Sequence, residues 1–430
     1  MVMTKILING GKRLHGEVTI GGAKNSTVAL IPASILAETP VRFDTVPAIL
    51  DVKNLQLILQ SMNVSSNFEN GFLEIDPTHI VDAPLPKNAI KSLRASYYFM
   101  GALLGKFGKA TVTFPGGDNI GPRPIDQHIK GFKALGASVR EENDTIYITT
   151  GPEGLHGAEI FFDKVSVGAT MNLIMASVRA KGLTILENVA REPEIIDLAT
   201  FLNNMGANIR GAGTDTIRIM GVPVLRSSAV HAVIPDRIEA GTYITAAAAI
   251  GDGVTIKNVI PEHLESFTSK LIEMGVHLRI SEDEIYVPAT SHLKPVTITT
   301  APFPGFATDL QQPISPLLMK ADGVSTIVDT IYPQRIRHIV ELRRMGGDIS
   351  SLEGGVIQVN ESPRLVGTDV QAAEIRAGAA LVIAGLMADG QTVIDHAEHI
   401  LRGYEQIQQK LTGLGASVAV LGVDIPSLMP

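Results

Sequence analysis

The chain has 430 residues, no cysteine and no tryptophan, and its 44 acids against 36 bases give a net charge of −8. The lack of cysteine excludes disulfides, zinc–thiolate sites, iron–sulfur clusters and thiol catalysis. The acidic balance argues against a nucleic-acid binder, which needs a basic face. Hydrophobic residues at 45% and charged residues at 19% fit a packed protein of two or three domains.

In chain order, the opening MVMTKILINGGKRLHG has no apolar core of signal-peptide length. Its Lys5–Asn9 stretch reads as a strand that pairs elsewhere in the chain. A near-apolar helix then begins at STVALIPASILAETPVRFD and runs into a strand, and an amphipathic helix ends at LILQSMNVS. The same unit returns. Near-apolar helix–strand segments recur as YYFMGALLGKFGKATVTF, MNLIMASVRAKGLTILEN, YITAAAAIGDGVTIKNV and GAALVIAGLMADGQTVID. Amphipathic helix ends recur as FKALGAS, FLNNMGAN, LIEMGVH, ELRRMGGD and KLTGLGAS. Their glycines, Gly136, Gly206, Gly275, Gly346 and Gly415, are 70, 69, 71 and 69 residues apart, with Asn63 in the same place 73 residues earlier. Gly and Asn are the residues that take a left-handed helix cap, so the six ends align. Strand–turn–strand patterns follow, as in SVREENDTIYIT, NIRGAGTDTIRIMG, HLRISEDEIYV and DISSLEGGVIQV. GAGTDT lies in such a hairpin and reads as a turn, not a dinucleotide loop. The longest near-apolar run, 377–388, is too short to span a bilayer. The expectation is a soluble, cytoplasmic α/β protein of six repeats of about 70 residues, three per domain. The near-apolar helices should be buried on all sides, with the amphipathic helices outside.

Polar residues collect at two places in each repeat. One is the start of the apolar helix: Lys24–Asn25, Arg94, Ser166–Thr170, Asp236–Arg237–Glu239, Asp309 and Glu374–Arg376. The other follows the first strand: 116–126, 188–194, 258–263, 329–335 and 395–403. If the repeats are equivalent, these lie at one end of each domain, and two domains facing by those ends would enclose one polar cleft. It would hold the cations Lys24, Arg94, Arg123, Arg237, Arg335, Arg376 and Arg402. Cations oppose the dipole at a helix start, where anions are favoured, so the combination makes sense around an anionic ligand. Arginine's planar fork suits carboxylate and phosphate. Asp118, Asp236, Asp309 and Glu374 are candidate acids or bases. Asp395, His396 and His399 lack a further ligand and do not make a metal site.

Eight segments, in order, resemble one family: GGAKN (21–25), LRAS (93–96), GGDNIGPRPIDQH (116–128), KVSVGATMN (164–172), REPEIIDLATFL (191–202), PDRIEAGT (235–242), FPGFATDLQ (303–311) and RGYE (402–405). Over essentially the whole chain the sequence is similar to the UDP-N-acetylglucosamine enolpyruvyl transferases. The sibling shikimate-pathway transferases share the sixfold architecture but are less similar in the RPxDxH and PDRIExGT segments. The resemblance implies an inside-out α/β barrel of two domains, one at 24–234 with a mobile loop at 115–123, the other combining 1–23 with 235–430. It implies transfer of the enolpyruvyl group of phosphoenolpyruvate to the 3′-hydroxyl of UDP-N-acetylglucosamine, with no metal or cofactor. It implies catalytic roles for Asp118, Asp309, Lys24 and Arg402, with Asp309 as the base. Lys24, Arg94, Arg123 and Arg402 would hold the phosphate and carboxylate, helped by Arg376, with Arg335 forming part of the cleft wall. Asn25, Asp309 and Arg123, Pro124, Ile125 and Asp126 would face the sugar nucleotide. Lys164, Ser166, Val167 and Gly168 would hold its diphosphate and uridine. His128, Ile331 and Glu374 complete the implied binding set.

Two positions depart from the family pattern. Most members carry cysteine where this chain has Asp118. A carboxyl has an unperturbed pKa of about 3.9 against about 8.5 for a thiol, so it acts as an acid only if its surroundings keep it protonated. The same change removes the thiol that fosfomycin alkylates and implies insensitivity to that antibiotic. Glu374 stands where aspartate is usual, and its extra methylene is expected to displace Arg376 from its partner. These two positions are also the hints for an alternative, a catalytically weak paralogue that binds UDP-N-acetylglucosamine as a sensor.

Overall fold

A computed structural model describes residues 4–86, 90, 94–113, 124–362 and 364–422. Twelve helices of seven residues or more run through these described residues. They are α1 (Lys24–Ser34), α2 (Leu50–Ser61), α3 (Tyr98–Phe107), α4 (Asp126–Ala134), α5 (Val167–Ser177) and α6 (Pro193–Asn204). They continue as α7 (Arg237–Ile250), α8 (Glu265–Glu273), α9 (Thr308–Leu318), α10 (His338–Arg344), α11 (Ile375–Met387) and α12 (Ile407–Gly413). No helix among the described residues is long and apolar enough to cross a membrane.

The odd- and even-numbered helices differ as their side chains require. Twelve of the fourteen residues of α7 and twelve of the thirteen of α11 are buried, which only a helix apolar on every face tolerates. By contrast α2 buries Val52, Leu55, Ile58 and Leu59, and α8 buries Phe267, Thr268 and Leu271, one stripe at helical spacing. Every even helix is followed by a residue at positive φ: Asn63 at 59°, then Gly136, Gly206, Gly275, Gly346 and Gly415 at 90–101°. That left-handed turn is what the repeated Gly or Asn supplies.

The described residues form six sheets, one per repeat. In five of them, the strand after the inner helix pairs antiparallel with the returning strand of a hairpin, as Leu183–Glu187 does with Thr216–Met220. In five sheets a parallel edge strand is added, as Glu159–Phe161 is to Leu183–Glu187. Burial alternates along the strands, so one face of each sheet meets the core and the other faces solvent. The N-terminal strand Lys5–Asn9 lies between Gln391–Asp395 and Ser417–Leu421, antiparallel to both, with Leu7 opposite Val393 and Ala419. Leu14–Thr19 forms the parallel edge beside Gly251–Lys257. Val230–Ala232 closes the first sheet beside Val41–Asp44.

The chain divides into two compact units, each with its own hydrophobic core. The continuous unit holds the described residues of 22–234, where α3 packs on α1 and α5. The split unit holds those of 1–21 and 235–422, where α7, α9 and α11 pack on one another. Each unit is an inside-out α/β arrangement, with its inner helices wrapped by sheets and outer helices.

Candidate functional site

In the split unit the starts of α9 and α11 converge on one ion cluster. Asp309, the second residue of α9, is 26% exposed and accepts from both sides. Arg335 Nη1 donates to its Oδ1 at 2.6 Å, and Arg376 Nη2 and Nε donate to its Oδ2 at 3.1 and 3.3 Å. Glu374, the N-cap residue of α11, closes on Arg335 as a bidentate pair, with Nε and Nη2 each 2.9 Å from a carboxylate oxygen. Burial by itself would lower the pKa of the Arg335 guanidinium, but the carboxylates of Glu374 and Asp309 outweigh it and push the pKa up. Two guanidiniums and two carboxylates thus balance, as buried charges must. Arg376 also lies over the Tyr404 ring at 5.4 Å, and Tyr404 shares a hydrogen bond of 2.9 Å with Thr242.

Polar groups behind the cluster fix it. Gln311 Nε2 donates to the Arg335 carbonyl at 2.8 Å. His338, fully buried, lies 3.2 Å from Gln312 Nε2 and 3.2 Å from Ser315 Oγ. Burial, then the Arg335 charge, pushes its pKa down to about 3. Asp329 accepts from the Ile331 and Tyr332 amides at 2.9 Å each and so shapes the 329–335 loop. Ile331 is half-buried there, and Arg402 is half-buried after the turn Glu398–Leu401.

Of the candidate acids and bases, Asp236 caps α7, accepting from the Ile238 and Glu239 amides at 2.8 and 3.0 Å. Glu374 is wrapped around Arg335 and 1% exposed. Among these described candidates Asp309 is the partly exposed carboxylate. The Glu374 side chain reaches Arg335, and Arg376 pairs with Asp309.

In the continuous unit, Lys24 opens α1 with Nζ 3.4 Å from the buried Asp51, in the first turn of α2. Asn25 is half-buried. Buried Ser26 donates to Asp197 of α6, whose other oxygen is 2.8 Å from His231 Nε2. Arg94 opens a 3-10 turn, Arg94–Tyr97, that leads into α3. Ser166 caps α5, its Oγ accepting from the Ala169 amide at 3.3 Å. His128, in the first turn of α4, comes to this helix start: a Cβ on Gly168 would lie 3.1 Å from its Nε2. Gln127 Oε1 accepts from the Asp163 amide at 2.9 Å, which ties α4 to the segment carrying Lys164. The fold therefore gathers His128, Ser166, Val167 and Gly168. Ile125 is buried, whereas Pro124, Asp126 and Lys164 are exposed. Asp118, Arg123 and the 115–123 loop lie outside the described residues.

Asp51, Asp197 and His338 were not singled out in the sequence, and Asp329 was named there only as the first residue of the polar segment 329–335. Each is a buried polar residue behind a residue named there. Asp197 did carry a signal, since it interrupts the apolar stripe of EIIDLATFL.

The family model of EPSP synthase (3-phosphoshikimate 1-carboxyvinyltransferase) matches residues 8–411. The chain is 67% identical over 418 residues to UDP-N-acetylglucosamine 1-carboxyvinyltransferase 2 of Lactiplantibacillus plantarum, covering 97% of this chain and 98% of that one. It is 60% identical over 429 residues to UDP-N-acetylglucosamine 1-carboxyvinyltransferase of Lactobacillus acidophilus, covering 99% of each. Among solved structures, the enolpyruvyl transferase NikO from Streptomyces tendae superimposes with a TM-score of 0.88 at 25% identity, covering 98% of this chain and 99% of that one. EPSP synthase from Acinetobacter baumannii, at 19% identity, shares the fold with a TM-score of 0.70, covering 97% and 99%.

Proposed function

The chain belongs to the EPSP synthase family and, within it, to the UDP-N-acetylglucosamine 1-carboxyvinyltransferases, and from that premise we propose that it transfers the enolpyruvyl group of phosphoenolpyruvate to the 3′-hydroxyl of UDP-N-acetylglucosamine. The product serves peptidoglycan precursor synthesis. The hydroxyl oxygen attacks C2 of the enol phosphate and its proton passes to Asp309. C3 takes a proton from Asp118, giving a tetrahedral ketal. The C2–O bond to phosphate then breaks, C3 returns a proton to Asp118, and phosphate leaves with the proton held by Asp309.

The observation that carries this reading is the Asp309 carboxylate, partly exposed yet held on both oxygens by the buried Arg335 and Arg376. A base held in one geometry before substrate arrives lowers the barrier through orientation. Lys24, Arg94, Arg123 and Arg402 clamp the phosphate and carboxylate of phosphoenolpyruvate, an electrostatic contribution that is usually the largest in such reactions. Asn25 and the 123–126 stretch face the sugar. Lys164, Ser166, Val167, Gly168 and His128 take the nucleotide, in keeping with the gathering of His128 at the α5 start. With aspartate at position 118, the enzyme is insensitive to fosfomycin. The bidentate pairing of Glu374 with Arg335 favours this reading over the sensor alternative, since the longer side chain is accommodated.

The test is phosphate release from phosphoenolpyruvate, with and without UDP-N-acetylglucosamine and fosfomycin. The expected result is sugar-dependent release that survives fosfomycin. Release abolished by stoichiometric fosfomycin refutes the role of Asp118. No release, with the sugar nucleotide still bound, favours the sensor.

A further inference from the structure

We propose that Asp329 is a positioning residue for the transfer, holding Asp309 and its partner Arg335 in one fixed arrangement; this rests on the enolpyruvyl-transfer reading. Asp329 is 1% exposed and follows the strand Ser325–Val328. Its carboxylate is met by four donors. Oδ2 accepts from the Thr308 hydroxyl at 2.8 Å. Oδ1 accepts from the Thr300 hydroxyl at 2.8 Å and from the Ile331 and Tyr332 amides at 2.9 Å each. A buried carboxylate is tolerated only with such bonds, so its position fixes theirs in turn.

Two paths leave this carboxylate and meet again. One runs through Thr308, the first residue of α9, to its neighbour Asp309. The other runs through the Ile331 and Tyr332 amides, and Tyr332 accepts from the Arg335 amide at 2.9 Å. The 2.6 Å contact of Arg335 with Asp309 closes the ring. Thr300 braces the same loop, its Oγ1 accepting from the Thr330 amide at 3.0 Å and its carbonyl from the Thr330 hydroxyl at 2.6 Å. Asp329 therefore anchors the base and the cation that aims it, while touching neither. A displacement of about 1 Å at such a pair costs roughly a hundredfold in rate.

The experiment compares Thr308→Val, which removes the hydroxyl at nearly constant volume, with Thr308→Ser, which keeps it, and with Asp329→Asn. Phosphate release gives kcat and KM for both substrates, and circular dichroism checks folding. The expected result for T308V and D329N is a kcat lower by about tenfold to a hundredfold with each KM within about threefold of wild type. T308S should keep kcat within about threefold of wild type. A wild-type kcat in T308V, or equal losses in T308V and T308S, overturns the proposal, and T308V decides even if D329N fails to fold. If wild type itself releases no phosphate, the transfer reading fails and a crystal structure of T308V decides. An Asp309–Arg335 contact kept at 2.6 Å overturns the positioning role, and a broken contact supports it.

Discussion

The inner helices begin differently in the two units, although the units repeat one architecture. In the split unit the starts of α9 and α11 are locked by charge: Asp309, Arg335, Glu374 and Arg376 form a closed quartet, three of them at most 4% exposed at the side chain. In the continuous unit the start of α5 is a hydroxyl cap beside a glycine and a histidine, and Lys24 meets one buried carboxylate at 3.4 Å. The difference teaches that the repeat supplies helix starts, while single residues decide what each start does. Charge preorganises one unit, and open backbone with small side chains shapes the other.

Glu374→Gln is the largest expected break in that comparison. It leaves buried Arg335 with one full carboxylate in place of two, at a cost of about 3–5 kcal/mol in urea unfolding. A loss no larger than that of a helix cap would mean that the quartet is not what locks the split unit.

His338 tests the same lock by pH. Its pKa is pushed down to about 3 from 6.5 by burial and then by Arg335, so the unfolded chain binds a proton that the fold refuses between those values. The stabilisation is complete above about pH 6.5 and is lost as the pH falls toward 3, by up to about 1.4 kcal/mol per unit. His338→Gln should flatten the stability profile between pH 7 and pH 4. An unchanged slope would remove His338 from the account.

The smallest effect belongs to the continuous unit. Ser166→Ala deletes the α5 cap, at about 1 kcal/mol in the same unfolding experiment. A loss several times larger would place this hydroxyl beyond capping and narrow the contrast between the units.

The repeat, the buried character of the odd helices and the Gly or Asn caps were legible because each follows from short-range periodicity. Asp309, Arg335, Glu374 and Arg376 were also named in the sequence, but their pairing was not. Residues 309, 335 and 374 lie far apart in the chain, and only the packed fold brings Glu374 to Arg335 and Asp309 to Arg376. Asp51, Asp197 and His338 stayed hidden for a related reason: a polar residue inside an apolar pattern shows that something must satisfy it, and the partner comes from another element.

Local chemistry thus determined the helices, the strands, the six repeats and the polar residues at the helix starts. The tertiary structure decided which of those residues meet. It set the N-terminal strand between Gln391–Asp395 and Ser417–Leu421, brought His128 to Gly168, and closed Arg335 on Glu374 and Asp309. Periodicity is a property of neighbours along the chain, whereas hydrogen bonds and ion pairs depend on distances of about 3 Å that only the packed fold sets.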